Sequence, residues 1–280
     1  MQYEVAPEGW KHGDPNPFTS DGSYGPEWTC FRVSGDQECE LFTGRGPHPN
    51  GLFVGSFRQD AANLDNRLAD FLRYENRQGR RVIVSFPKGE DADAIIARAL
   101  AVTPPADVVR STDPKIVVHT TTLDAWNDIR RDGVLKSLAR LKAEGLVCGD
   151  SDVDRYRMNE PEEYVDNIVF GAIDSPWPEL VALSKAKGAF VTDPNTPYQP
   201  GCRLYFDNHR IIESGRDERD GLHLIKIRGE LPLDGFLVAA ITSADADPEG
   251  VVQVWTPAEF VERANTALLG RLSRSRDTPR

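Results

Sequence analysis

"KIVVHTTTLDAWNDIRRDGVL", residues 115–135, joins four strand-forming residues to a helix through a histidine and three threonines. Its apolar, β-branched start is typical of a buried strand. The residues that follow have the apolar spacing of a short helix, which is expected to end at Gly133 and to be capped by Thr122 or Asp124. The sequence therefore predicts that the imidazole of His119 and three hydroxyls lie where a strand passes into a helix.

Side chains alternate along a strand, so His119 and Thr121 are expected to share one face, about 7 Å apart along the chain. An imidazole and a hydroxyl at this spacing can bind the vicinal diol or the amide of a ligand. The structural alternative is that His119 is a buried, hydrogen-bonded ring and that the threonines are strand residues and a helix cap. Periodicity alone leaves both interpretations open.

The chain has 280 residues, 39% of them hydrophobic, which is enough for one large domain or for a main domain with a smaller partner. No apolar run approaches the roughly 20 residues that span a bilayer, so no membrane association is expected. The N-terminus has no signal-peptide pattern, which favours a cytosolic protein. Four widely separated cysteines favour buried thiols, although Cys30 and Cys39 would permit a disulfide across a hairpin.

The formal net charge of −11 argues against broad, non-specific affinity for nucleic acid, because phosphate binding needs clustered Lys and Arg. A local basic groove stays compatible with this charge. Residues 266–280 form a basic segment that is expected to be flexible and solvated.

Residues 1–103 are expected to form a small accessory unit of the α+β class. Residues 28–44 suggest two short strands around a turn, and residues 80–86 suggest a further strand. Residues 63–79 and 90–102 have the pattern of helices. Prolines make residues 104–114 the expected linker.

Residues 115–265 contain more strands than helices, and their connections are too irregular for repeated βαβ units. The expected strands are residues 115–120, 167–173, 201–207, 221–227 and 235–242, and the longer expected helices are residues 177–188 and 256–269. The sequence therefore predicts an α+β fold with a mostly antiparallel sheet and flanking helices.

Several common sites lack their motifs. There is no P-loop, no glycine-rich dinucleotide fingerprint and no nucleophile elbow. The five histidines are scattered, and no cysteine/histidine quartet occurs, so no metal site is expected.

A second cluster of polar residues occupies residues 198–223. In the strand of residues 202–207, Arg203, Tyr205 and Asp207 share one face, which is costly to bury unless its groups are paired. This face is therefore expected to be exposed or to line a cleft in which arginines, with Arg219 further along, bind a pyrophosphate. A salt-bridged surface hairpin is the alternative.

The pattern H-T-T…I…G-V-L within residues 119–135 resembles the opening segment of the ADP-ribosyltransferase fold. It is similar to the corresponding segments of RNA 2'-phosphotransferases, rifampin ADP-ribosyltransferases and DNA-targeting ADP-ribosyltransferase toxins. The resemblance implies a curved sheet whose two halves hold NAD as substrate. It also implies that His119 binds the adenosine ribose, that Thr121, beside Thr120, helps to hold the nicotinamide end, and that Arg140 binds phosphate.

In such a fold nicotinamide leaves the ribose through an oxocarbenium-like transition state, which a nearby carboxylate stabilises. The candidate carboxylates are Glu179, Glu213 and Glu230, and none lies in a motif that matches residue by residue. His119 and His223 are the candidate catalytic histidines.

Three functions follow as hypotheses. The first is an NAD-dependent transferase that moves ADP-ribose to a nucleic-acid, protein or small-molecule acceptor. The second is an RNA 2'-phosphotransferase or another phosphate-handling nuclease or phosphodiesterase, in which His119, His223 and the arginines act as acid, base and anion clamp. The third is a non-catalytic acidic binding protein of the antitoxin or immunity type.

Overall fold

A computed structural model describes residues 1–35, 51–104, 108–146, 162–189 and 191–276. The chain forms two compact units. Unit one comprises Met1–Thr112, Arg157–Val165 and Glu218–Lys226, and unit two comprises Asp113–Tyr156, Asp166–Asp217 and Ile227–Arg280. The first division falls inside the predicted linker, but two short segments of the predicted domain 115–265 belong to unit one.

Unit one contains a four-stranded parallel sheet with the order β1-β4-β2-β3. Its elements are β1 (Tyr3–Val5), β2 (Trp28–Ser34), β3 (Phe53–Arg58), α1 (Leu64–Arg77), β4 (Arg81–Ser85) and α2 (Ala92–Val102). The two helices and β4 confirm the sequence prediction. The predicted hairpin is not confirmed, because both edges of β2 pair with parallel strands and the second hairpin strand lies outside the described residues.

The core of unit one follows from side-chain alternation and helical spacing. On one face of the sheet, Phe31 and Phe57 stack with ring centroids 4.8 Å apart and pack with Phe71 of α1. On the other face, Trp28 stacks on Phe18 from the segment before β2. Both faces are thus covered, as is usual for a parallel sheet.

The part of the chain after α2 contains a six-stranded sheet with the order β12-β8-β5-β7-β10-β9 and a two-stranded sheet of β6 and β11. Its elements are β5 (Ile116–Thr121), α3 (Leu123–Asp132), β6 (Val134–Lys136), α4 (Leu138–Ala143), a 3-10 helix (Glu162–Asp166), β7 (Asn167–Ala172), α5 (Trp177–Lys187), β8 (Cys202–Asp207), α6 (Asn208–Glu213), β9 (Asp217–Glu218), β10 (Ile225–Arg228), β11 (Glu230–Pro232), β12 (Leu237–Thr242), α7 (Ser243–Ala246) and α8 (Pro257–Arg276). The pairs β12–β8, β8–β5 and β5–β7 are antiparallel. The predicted mostly antiparallel sheet is therefore confirmed, and the mixture of helices and strands is consistent with the α+β class, although the predicted α+β accessory unit contains a parallel sheet.

The junction after β5 forms as expected. The Thr122 hydroxyl accepts a hydrogen bond from the Ala125 backbone N–H at 3.2 Å, so Thr122 is the cap of α3. The helix ends at Gly133, whose φ of 71° lies in the left-handed region that glycine adopts without steric cost.

The predicted flexible tail, residues 266–280, is helical as far as Arg276. Ala264 and Leu268 are buried against the sheet in one cluster with Phe260, which anchors α8 well beyond the predicted end at 265. The remaining residues, 277–280, lie outside the described part of the chain. In the described ranges, no helix combines the length and apolar character needed to cross a membrane.

Candidate functional site

His119 lies on β5, which is flanked by β8 and β7 in the antiparallel sheet. Its ring is half-buried, with its centroid 5.9 Å from that of Phe170 on β7. Nδ1 lies 3.1 Å from the Val169 carbonyl oxygen. Because a carbonyl can only accept, Nδ1 carries the proton of this hydrogen bond.

The environment keeps His119 neutral. Desolvation lowers its pKa to about 4, the hydrogen bond with Val169 partly opposes this, and the charge of Lys185 lowers the pKa further. In the neutral ring with a proton on Nδ1, Nε2 holds a lone pair. Nε2 has no hydrogen-bond partner among the described residues. The ring therefore offers one acceptor to a hydroxyl group of a ligand.

This pKa has a measurable effect on stability. The pKa of folded His119 is about 4, so the ring stays neutral down to that pH, whereas in the unfolded chain the imidazole has its ordinary pKa of 6.5. Between these values the unfolded chain binds more protons, so the contribution of His119 to the unfolding free energy decreases as the pH falls. We expect His119→Gln to lose less stability than the wild type when urea unfolding is moved from pH 7 to pH about 5. Equal losses in both proteins would contradict a depressed pKa.

Three other predicted site residues form a cluster on the opposite face of the sheet. The Thr120 hydroxyl donates to Glu179 Oε1 at 2.6 Å, and Arg203 Nη1 lies 2.6 Å from both carboxylate oxygens of Glu179. Thr120 pairs with Arg203 and His119 with Leu204 across the sheet, so the cluster and the imidazole point to opposite faces. Glu179 and Arg203 are fully buried.

The predicted polar face of β8 is therefore neither exposed nor the lining of a cleft. Arg203 is paired with Glu179, and Tyr205 is buried, with its hydroxyl donating to Asn265 Oδ1 at 2.9 Å. Burial also raises the pKa of Tyr205. Asp207 is half-buried and caps α6 by accepting from the Arg210 backbone N–H at 3.1 Å. Burial is possible here because each of these side chains has at least one polar partner.

The remaining candidates in unit two lie apart from that cluster. Thr121 follows on the face of His119 and is half-buried. Arg140 is exposed in α4, with Nε 2.8 Å from a carboxylate oxygen of Glu144 and 3.7 Å from one of Glu230. Glu213 is exposed at the end of α6. Of these, only Thr121 shares the strand and face of His119.

Arg219 and His223 belong to unit one. Arg219 is buried and donates to the Val108 carbonyl at 3.1 Å. His223 Nδ1 lies 2.7 Å from Asp220 Oδ2. The structure therefore does not bring the predicted arginines and histidines together in one compact unit.

Sequence patterns did not predict a buried charged cluster in unit one. Lys226 Nζ, which is fully buried, lies 3.1 Å from Asp220 Oδ2, 3.7 Å from the ring centroid of Tyr74 and 3.9 Å from that of Tyr164. These distances are those of cation–π contacts. Burial would raise the pKa of Asp220, but His223 and Lys226 hold it well below its usual value. The only local signal is a lysine between two isoleucines in "LIKIR".

The described residues contain no group of three or more His, Cys, Asp or Glu that could hold a metal ion. The His119 face combines an imidazole acceptor and the neighbouring Thr121 hydroxyl, and the buried Phe170 packs beside the ring. Comparisons of the chain with protein-family models, with curated proteins and with solved structures each found no match.

Proposed function

We propose that unit two binds NAD and transfers its ADP-ribose to an acceptor. The observation that carries this proposal is the state of His119: a neutral ring on a strand in the interior of the sheet, fixed through Nδ1 and with Nε2 left as an acceptor. A ribose hydroxyl is a donor that suits this nitrogen. The ring needs no proton transfer to make that contact at neutral pH.

The sequence pattern around His119 supports the same assignment, because its resemblance to the ADP-ribosyltransferase opening segment gives the histidine the role of ribose ligand. A mostly antiparallel sheet with β5 in its interior is compatible with that fold. Thr121, on the same face, is proposed to contact the nicotinamide end of the ligand. Phe170, which is itself buried, packs beside the imidazole.

The transition state needs a carboxylate that can approach the ribose. Glu179 does not meet this requirement, because both of its oxygens bind Arg203 and because it lies on the face opposite His119. Glu213 and Glu230 are exposed, so these two residues remain the candidates for this carboxylate. The proposal therefore gives Glu179 no contact with the substrate.

The phosphate-handling alternative depends on the predicted arginines acting together with His223. Arg203 is paired with Glu179 inside unit two, and Arg219 donates a hydrogen bond to a backbone carbonyl inside unit one. These arrangements favour ADP-ribose transfer over a reaction in which those arginines bind the reacting phosphate. The non-catalytic alternative gives no reason for a neutral histidine with an unused acceptor nitrogen.

The molecule that accepts the ADP-ribose group is proposed only as a chemical class. The net charge of −11 makes long nucleic acid less favourable than a protein or a small molecule, unless a local basic surface offsets it. The proposal keeps the cytosolic location expected from the sequence, because free thiols such as Cys30 and Cys202 stay reduced there.

The proposal predicts release of nicotinamide from NAD. Purified protein is incubated with NAD, and nicotinamide is quantified by liquid chromatography for the wild type, His119→Ala and His209→Ala. His209 is the matched control, because it is also a half-buried histidine in unit two whose ring lies near a backbone carbonyl, 3.3 Å from that of Asp113. We expect release by the wild type and His209→Ala and none above background by His119→Ala.

The same assay on Glu213→Gln and Glu230→Gln identifies the carboxylate that stabilises the transition state. It is the one whose substitution gives the larger loss of nicotinamide release. Hydrolytic cleavage of a nucleotide that does not depend on NAD, together with no nicotinamide release, would replace the proposal by the nuclease or phosphodiesterase alternative. The absence of both reactions would favour the binding-protein alternative.

A further inference from the structure

Thr120, Glu179 and Arg203 form a chain of hydrogen bonds behind His119. Their side chains come from β5, α5 and β8, and all three meet on the face of the sheet that does not carry the imidazole. The two charged members are fully buried and pair at 2.6 Å. Such a pair is weak evidence for stability but has a well-defined geometry.

The same series of hydrogen bonds extends to the end of β7. Arg203 Nη2 donates to the Ile173 carbonyl at 2.8 Å, directly after the last residue of β7. Arg203 therefore connects β8 to β7 across β5, while Glu179 connects to β5 through the Thr120 hydroxyl. The three strands are tied together on one face by these side-chain contacts.

The position of His119 makes this connection relevant. The register of β5 with β7 covers the pairs Val117–Ala172 and Val118–Gly171, and His119 is the next residue. The contact of its Nδ1 with the Val169 carbonyl therefore depends on the distance between β5 and β7 at the point just past these two residue pairs. Thr120, the residue after His119, is held from the opposite face by Glu179.

We propose that Thr120, Glu179 and Arg203 are positioning residues for His119. They hold β5 at the spacing from β7 at which Nδ1 donates to Val169, and this donation leaves Nε2 as the acceptor that faces the ligand. The expected effect on NAD binding rests on the proposed function. The expected effect on the tautomer of the His119 ring does not depend on the proposed function.

Thr120→Val tests this inference with little change in shape. Valine keeps the β-branched form that suits a strand and removes only the hydroxyl. Glu179 keeps Arg203 as its partner, so no buried charge is left unpaired. Thr120→Ser is the matched control, because it keeps the hydroxyl that donates to Glu179.

The first readout is the protonation site of His119 near neutral pH, measured by nitrogen NMR on histidine-labelled protein. The signal of His119 is assigned by its absence in His119→Gln. We expect the proton on Nδ1 in the wild type and in Thr120→Ser, and a mixture of both tautomers in Thr120→Val. The second readout is NAD affinity by calorimetry, for which we expect a loss of about tenfold in Thr120→Val, by analogy with the lower end of the effect of removing groups that orient metal-ligating histidines.

An unchanged tautomer in Thr120→Val would overturn the positioning role whether or not NAD binds. An unchanged affinity in Thr120→Val, with a wild type that binds NAD, would overturn it as well. A wild type that does not bind NAD would instead remove the proposed function, and the tautomer comparison would still decide the positioning role.

Discussion

Arg203→Met is expected to lower the free energy of unfolding by about 3–5 kcal/mol, the usual effect of removing one partner of a buried ion pair. The guanidinium and the Glu179 carboxylate are both fully buried, and among the described residues the substitution leaves that carboxylate with the Thr120 hydroxyl as its one remaining partner. Methionine occupies much of the volume of arginine, so a cavity contributes little to the loss. Urea unfolding measures the change.

The matched control removes both charges. In Arg203→Met combined with Glu179→Leu no buried charge is left alone, and such replacements are often neutral or stabilising. We expect the double variant to regain most of the stability lost in the single variant. A loss of less than about 1 kcal/mol in Arg203→Met, as for an exposed ion pair, would contradict the buried pair.

Elements with strong local patterns were predictable. The apolar spacing of α1, the cap and terminal glycine of α3 and the proline start of α5 depend on neighbouring residues, and each helix forms as expected. The pairing of β2 depended on distant residues, and a hairpin was predicted where the strand has two parallel neighbours. Turn residues next to β2 carry no information about strands further along the sequence, so they could not predict that β3 and β4 pair with it.

The candidate site was predictable only in part. Alternation along β5 placed His119 and Thr121 on one face. The partner of the imidazole is a backbone carbonyl of Val169, and a carbonyl has no sequence signal. Arg203 was expected to bind phosphate because its own strand has an Arg-Tyr-Asp face, but cross-strand register places it beside Thr120 and Glu179.

The division into units was also beyond local patterns. Glu218–Lys226 follows a strand-rich segment of unit two but belongs to unit one, where Lys226 contacts Tyr74 and Tyr164. These contacts join residues far apart in sequence. A lysine in an apolar strand gives no information about the aromatic rings that enclose it.

His119→Ala has the largest expected effect on ligand binding. The substitution removes the Nε2 acceptor and the ring packed beside Phe170. Loss of a central contact of this kind costs about 2–4 kcal/mol, which raises the Kd for NAD roughly 30- to 1000-fold. The effect on stability is expected to be small, because the ring is half-buried and its one described partner is a backbone carbonyl.

Calorimetry of the purified protein with NAD, beside His119→Ala and the control His209→Ala, tests the central claim most directly. We predict saturable binding to the wild type and to His209→Ala, and no measurable binding to His119→Ala at the same concentrations. Absence of binding to the wild type, or equal binding to all three proteins, would contradict an NAD site at His119. A loss of several kcal/mol of stability in His119→Ala without any change in ligand binding would identify the ring as part of the core.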